Sequence, residues 1–117
     1  MTSEENKSKI LIIGASSNHQ RYAYMATERL LEAKFELYLL AKQEGQVLGQ
    51  KVVTEMPENG SIDTVTMYVG AKHQEEYFQK LIDLAPRRVI FNPGTENIAL
   101  QDLLKSNGVD VQVNCTL

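Results

Sequence analysis

Apolar residues along this chain alternate between two repeats. Residues 9–13, Lys-Ile-Leu-Ile-Ile, form an almost unbroken apolar run of the kind that a parallel strand covered on both faces requires. From about 21 to 33, Tyr22, Met25, Ala26, Leu30 and Ala33 recur at helical spacing and predict a helix. A second strand is expected at 36–40. Residues 42–50 are polar and contain glycine, so they read as a loop. Lys51-Val52-Val53 then looks like a short strand ahead of the turn Pro57-Glu58-Asn59-Gly60. Residues 62–69 predict the next strand, with Val65, Met67 and Val69 on one face by period two. Between 72 and 84, Tyr77, Phe78, Leu81 and Ile82 mark a helix closed by Pro86, which cannot continue it. A strand at 88–91 follows. The last helix is expected at about 96–106, with Ala99, Leu100, Leu103 and Leu104 inward, Thr95 as N-cap and Gly108 as C-cap. Residues 109–113 close the sheet.

Strands joined through helices are connected by crossovers long enough for parallel pairing. The pattern therefore predicts an α/β fold: a Rossmann-like, three-layer open sheet of about five mainly parallel strands with helices on both faces. At 117 residues the chain is read as one domain, 9–117, preceded by a polar leader, 1–8, expected to fray. That leader has no apolar h-region, and the longest apolar runs are strand-sized, so neither a signal peptide nor a membrane span is predicted and the cytoplasm is the default location. No internal repeat or low-complexity linker is seen.

Composition is ordinary for a globular domain, at 43% hydrophobic and 23% charged residues. A formal net charge of −3 argues against non-specific nucleic-acid binding, which needs a basic face, but leaves room for a local anion site. One cysteine, Cys115, excludes an internal disulfide or a cysteine zinc cluster, and His19 and His73 offer little to a metal. Cys115 is expected to be small and buried, because no cation or histidine adjoins it in sequence to lower its pKa. No Ser-His-Asp order and no paired-carboxylate arrangement stands out, so no catalytic residue is named and the chain is not read as an enzyme.

In open parallel sheets, ligands bind beyond the carboxyl ends of the strands, where the strand order reverses. This turns attention to the residues just after each strand. The foremost candidate is Gly14-Ala15-Ser16-Ser17: Gly14 lets the backbone turn sharply, and the serines, with the first turn of the next helix at Arg21 and Tyr22, make a site for a phosphate. The other reading of the same residues is a plain turn with polar caps. Positions two and five after Gly14 are Ser16 and His19, so the G-x-G-x-x-G dinucleotide fingerprint is absent. After the second strand stands Lys42, where an acidic residue would hold the ribose hydroxyls of NAD. A lysine there suits a phosphorylated ribose, as in NADP or the 3′-phosphate of coenzyme A, or it is a solvated loop residue. Gly70 and Lys72 follow the fourth strand, and Asn92, Pro93 and Gly94 join a buried strand to a helix start. Arg87 and Arg88 are placed at the other end, where a strand begins.

Four segments together resemble the small stand-alone CoA-binding proteins, whose domain is similar to the CoA-binding lobe of the succinyl-CoA synthetase alpha subunit. They are Ile12-Ile13-Gly14-Ala15-Ser16 with Arg21-Tyr22-Ala23-Tyr24; Val47-Leu48-Gly49-Gln50-Lys51-Val52; Arg88-Val89-Ile90-Phe91-Asn92-Pro93-Gly94-Thr95-Glu96-Asn97; and Cys115-Thr116-Leu117. The resemblance implies that the Gly14-Ala15-Ser16 loop and its helix hold a CoA diphosphate and that the ends of the second and fourth strands flank the adenosine. Two departures stand out. Leu39-Leu40-Ala41-Lys42 keeps the lysine of a Val-Asn-Pro-Lys pattern and loses its Asn-Pro, and Val69-Gly70-Ala71-Lys72 lacks the usual proline. The expected ligand is coenzyme A or an acyl-CoA held by a non-catalytic module, with two alternatives: an NADP-linked oxidoreductase domain, or a regulatory domain that has lost its ligand. Pairing of two copies stays open.

Overall fold

The computed structural model describes residues 9–116; the leader and Leu117 lie outside them. Seven strands and three α-helices alternate among these residues. They are β1 (Lys9–Ile13), α1 (Tyr22–Glu32), β2 (Glu36–Leu40), β3 (Gly45–Val47), β4 (Gln50–Val53), β5 (Thr64–Met67), α2 (Phe78–Leu84), β6 (Arg88–Phe91), α3 (Ile98–Ser106) and β7 (Asp110–Val113). One sheet holds the strands in the order β3-β4-β2-β1-β5-β6-β7, and every neighbouring pair is parallel except β3 with β4. The chain builds outward from β1 through β2 and β4, then returns to the other flank of β1 for β5, β6 and β7. Strand order therefore reverses between β1 and β5. Ile13 pairs with both Leu40 and Met67, so β1, β2 and β5 end level and their following loops share one rim.

The expected five strands are seven. The added antiparallel edge comes from a hairpin in which Val47 pairs with Gln50 across Leu48 and Gly49, at φ 51° and 79°. A two-residue turn with both φ positive matches the twist of paired strands. It is hidden in the sequence because leucine, rather than asparagine, precedes the glycine. The strand expected over 62–69 is regular only at 64–67.

Both faces of β1 are covered, as the unbroken apolar run along it requires. Leu11 and Ile13 join Val65, Met67, Val89 and Phe91 beneath α2 and α3, whose Leu81, Leu84, Leu100 and Leu104 are fully buried. Ile12 joins Leu39, Val47 and Val52 on the opposite face, under Tyr24 and Leu30 of α1.

The helix expected from 72 begins instead as two 3-10 turns, Ala71–His73 and Glu75–Tyr77, before α2. Between them sits Gln74, completely buried, its amide turned inward to backbone carbonyls. The N-cap of α3 is Asn97, whose side chain accepts the Leu100 N–H at 3.2 Å. Thr95, the expected cap, is buried and its hydroxyl donates to the Asn92 carbonyl at 2.7 Å. Gly108, at φ 83°, follows the cap Asn107; its N–H bonds Lys105 while that of Val109 bonds Leu104, which closes the helix with a left-handed glycine.

Candidate functional site

The reversal point is built from the loop after β1. The N–H groups of Gly14 and Ala15 both donate to the Leu40 carbonyl, at 2.9 and 3.1 Å, and the Tyr68 N–H donates to that of Ile13 at 2.9 Å. These bonds draw the ends of β2, β1 and β5 together. Gly14 has φ 95°, and a Cβ there would stand 3.0 Å from Val69 Cγ2 and 3.1 Å from the Tyr68 carbonyl carbon. The glycine is needed because the segment leaving β5 passes so close, a reason internal to the fold. Beyond it, Ser16 Oγ accepts the Asn18 N–H at 3.0 Å, Asn18 Oδ1 accepts that of Gln20 at 2.9 Å, and the Asn18 carbonyl accepts that of Arg21. The loop is thus locked by its own short-range bonds, and the Ser16 hydroxyl keeps its proton to donate.

Arg21 is the N-cap of α1 and supplies no side-chain bond to it. The intrahelical bonds begin with the Tyr24 and Met25 N–H groups, both donating to the Arg21 carbonyl. This leaves the Tyr22 and Ala23 N–H groups for an outside acceptor. Those residues line a crevice of about 510 Å³ together with Gly14, Ala15, Ser16, Arg21, Gly70, Pro93 and Gly94. Arg21 makes no ion pair with any described residue, so a free cation and a helix N-terminus flank the same space, an arrangement that favours an anion.

A second groove, about 400 Å³, lies on the other side of the loop and shares Ala15 and Ser16 with the first. Ser17, Lys42, Glu44 and the β3 residues line it. The Lys42 ammonium stands 3.0 Å from Glu76 Oε2, and this hydrogen bond with the attendant charge holds the lysine pKa above its ordinary value. A smaller space of about 200 Å³ extends from the crevice past Tyr22, Tyr68, Asn92 and Pro93 to Cys115.

The residues named from sequence accordingly divide. Gly14, Ala15, Ser16, Arg21, Tyr22, Gly70, Pro93 and Gly94 meet at the crevice, whereas Ser17 and Lys42 face the adjoining groove. Lys72 stands exposed on a 3-10 turn and lines none of the three spaces. Asn92 is buried and engaged within the fold: Nδ2 donates to Thr66 Oγ1 at 2.7 Å and to the Met67 carbonyl at 2.8 Å, and Oδ1 accepts the Thr116 N–H at 2.8 Å. It fastens strand ends together, and both of its amide protons are spent on them. Cys115 is exposed rather than buried, because past β7 the chain is tied down at Thr116, to Asn92 and Thr66, and no element packs over its predecessor. His19 stacks on Tyr24, ring centroids 4.4 Å apart.

Three contributors were not named from sequence. Tyr68 looked like a strand residue, yet it follows β5 and lines both the crevice and its extension. Its hydroxyl is buried and has no hydrogen-bond partner among the described residues; burial raises its pKa. Gln74 Nε2 donates to the carbonyls of Val69 and Thr95, each at 2.7 Å, and its Oε1 accepts from Asn97 Nδ2 at 3.1 Å, so one amide joins the loops after β5 and β6. Glu76 meets Lys42 from a distant part of the chain. No sequence signal marks these, beyond a glutamine one turn before Tyr77 and Phe78 on the apolar side of the expected helix.

At the opposite rim, Arg87 Nε and Nη2 grip Asp63 Oδ1 and Oδ2 at 2.8 and 3.0 Å, as the sequence placement of Arg87 away from the site implied. Burial alone would raise the Asp63 pKa, but the Arg87 fork, the Thr64 hydroxyl at 2.7 Å and the charge of Arg88 together hold it below the ordinary carboxylate value. Among the described residues no cluster of three or more His, Cys, Asp or Glu could hold a metal, and no helix is long and apolar enough to cross a membrane.

Comparison with known proteins agrees with this fold. A family model described as a CoA binding domain matches residues 8–117. A crystal structure of an uncharacterized protein is 40% identical, with a TM-score of 0.89 over 93% of this chain and 90% of its own. A hypothetical protein from Pyrococcus horikoshii OT3 is 26% identical (TM-score 0.82, 97% of this chain, 80% of that one), and a Thermus thermophilus structure at 18% identity shares the fold (TM-score 0.84, 95% and 85%). No curated protein matches. With the model spanning nearly the whole chain and the reversal-point crevice in place, the chain belongs to the CoA binding domain family.

Proposed function

We propose that this chain is a non-catalytic module that binds coenzyme A or an acyl-CoA. The observation that carries the reading is the crevice at the β1/β5 reversal, where the uncapped first turn of α1, the Ser16 hydroxyl and the unpaired Arg21 face one space. A diphosphate placed there accepts from the Tyr22 and Ala23 N–H groups, which have no acceptor within the helix. The adenosine then reaches over Ser17 toward the groove of Lys42, and the pantetheine arm runs past Tyr22 and Tyr68 toward Cys115. Tyr22 is 69% exposed at the mouth, and a ligand would cover its ring.

The test is native mass spectrometry of the freshly purified protein, then thermal melts with CoA, acetyl-CoA, NADP and NAD. A ligand at one hundred times its Kd adds about 2.7 kcal/mol of stability. A rise in melting temperature with the CoA compounds and none with NADP is expected. A rise with NADP alone favours the oxidoreductase alternative, and no response to any nucleotide favours a domain without a ligand.

A further inference from the structure

The groove beside Ser17 is where the ribose end of the ligand would lie, and its charges are arranged in an unexpected way. Lys42, the single cation lining it among the described residues, is already engaged: its ammonium bonds Glu76 Oε2 at 3.0 Å. Both side chains are largely exposed, so the contact would ordinarily be a loose surface pair. The backbone under Glu76 is not loose, however. Its neighbour Tyr77 is buried, and Gln74, two residues back, is completely buried and bonded to the carbonyls of Val69 and Thr95. The carboxylate is thus presented to the end of β2 by a fixed turn. A second carboxylate, Glu44, lines the groove itself. A phosphate entering this corner meets a cation whose charge is already matched by Glu76, in a groove that carries the further negative charge of Glu44.

Resting on the CoA reading above, we infer that Glu76 is a specificity-determining residue: it withholds Lys42 from the ribose phosphate, so that the site accepts CoA and 3′-dephospho-CoA with similar affinity. The phosphate does not gain a free ammonium on binding. It either leaves the Lys42–Glu76 pair intact or displaces a carboxylate that then repels it, and each course cancels the advantage of the extra charge-assisted bond. Removing the Glu76 charge leaves Lys42 free and turns the same corner into a phosphate contact.

Isothermal titration of the wild type, E76Q, K42M and the E76Q/K42M double variant with CoA and with 3′-dephospho-CoA tests this. Both substitutions lie on the surface. The wild type is expected to bind the two compounds within about threefold of each other. E76Q should bind CoA about fivefold more tightly with dephospho-CoA unchanged, the size of one exposed charge pair gained, and the double variant should return to the wild-type ratio. If the wild type prefers CoA by more than about tenfold and K42M abolishes the preference, Lys42 already serves the phosphate and the inference is overturned. Binding of both compounds with no response to E76Q overturns the inference and leaves the CoA reading standing. Binding of neither compound to the wild type or to E76Q overturns both.

Discussion

Replacing Gln74 by leucine isolates the tie that shapes the crevice. The side chain is 0% exposed, and leucine is close to it in size, so the change removes hydrogen bonds without opening a large cavity. Three bonds go: those to the carbonyls of Val69 and Thr95, both at 2.7 Å, and the one from Asn97 at 3.1 Å. Asn97 is only half-buried and regains water. Thr95 is buried, and each carbonyl stripped of its partner costs about 1–3 kcal/mol. Against a total near 4 kcal/mol, the added apolar burial returns about 1 kcal/mol, leaving a loss of about 3 kcal/mol. For 117 residues at about 2.1 cal/mol/K each, the unfolding entropy is about 0.25 kcal/mol/K, so the melting temperature should fall by about 12 °C. Circular dichroism melts read this directly. A fall of less than about 4 °C would refute the claim that one buried amide holds the loops after β5 and β6 together.

Gly14→Ala should lose about 3 kcal/mol in denaturant titration, from a φ of 95° forced on an L-residue and from crowding against Tyr68 and Val69; a loss below about 1 kcal/mol would mean that β5 yields easily. Leu48→Asn should gain about 0.5–1 kcal/mol, because asparagine accepts the left-handed first position of the β3–β4 turn, where leucine now sits at φ 51°; an unchanged midpoint would contradict the turn assignment. Asp63 has a folded pKa below its unfolded value of 3.8, so its contribution is complete above that value and fades as the pH falls through it toward the folded pKa. Asp63→Asn should therefore lower stability at neutral pH and flatten the decline between the two pKa values, and a decline as steep as in the wild type would refute the assignment.

What the sequence revealed depended on how many residues shared each signal. β1, β2 and β6 fall at the expected residues because each is a run of apolar side chains with no competing pattern. β3 went unseen because two of its three residues are exposed and the hairpin turn lacks its usual asparagine. Within Thr95-Glu96-Asn97, two residues carry capping chemistry. Asn97 caps α3 because the Thr95 hydroxyl is drawn inward to Asn92, a tertiary choice that local sequence does not encode. The crevice itself was legible, since the segments that follow β1, β5 and β6 line it. Gly14 stands at the turn after β1 as expected, but the reason for it was hidden: the close neighbours are Tyr68 and Val69, just past β5 and far away in sequence. Asn92 and Lys42 show the same limit, as one is consumed by Thr66, Met67 and Thr116 and the other by Glu76.

The central claim is that a CoA diphosphate lies on the first turn of α1 at the β1/β5 reversal. Titrating ¹⁵N-labelled protein with CoA and following the amide resonances tests it most directly. The account predicts that the largest shifts fall on Ser16, Ser17, Tyr22, Ala23 and Gly94. Shifts confined to the opposite rim, around Asp63, Arg87 and Arg88, or no shift at saturating CoA, would contradict it.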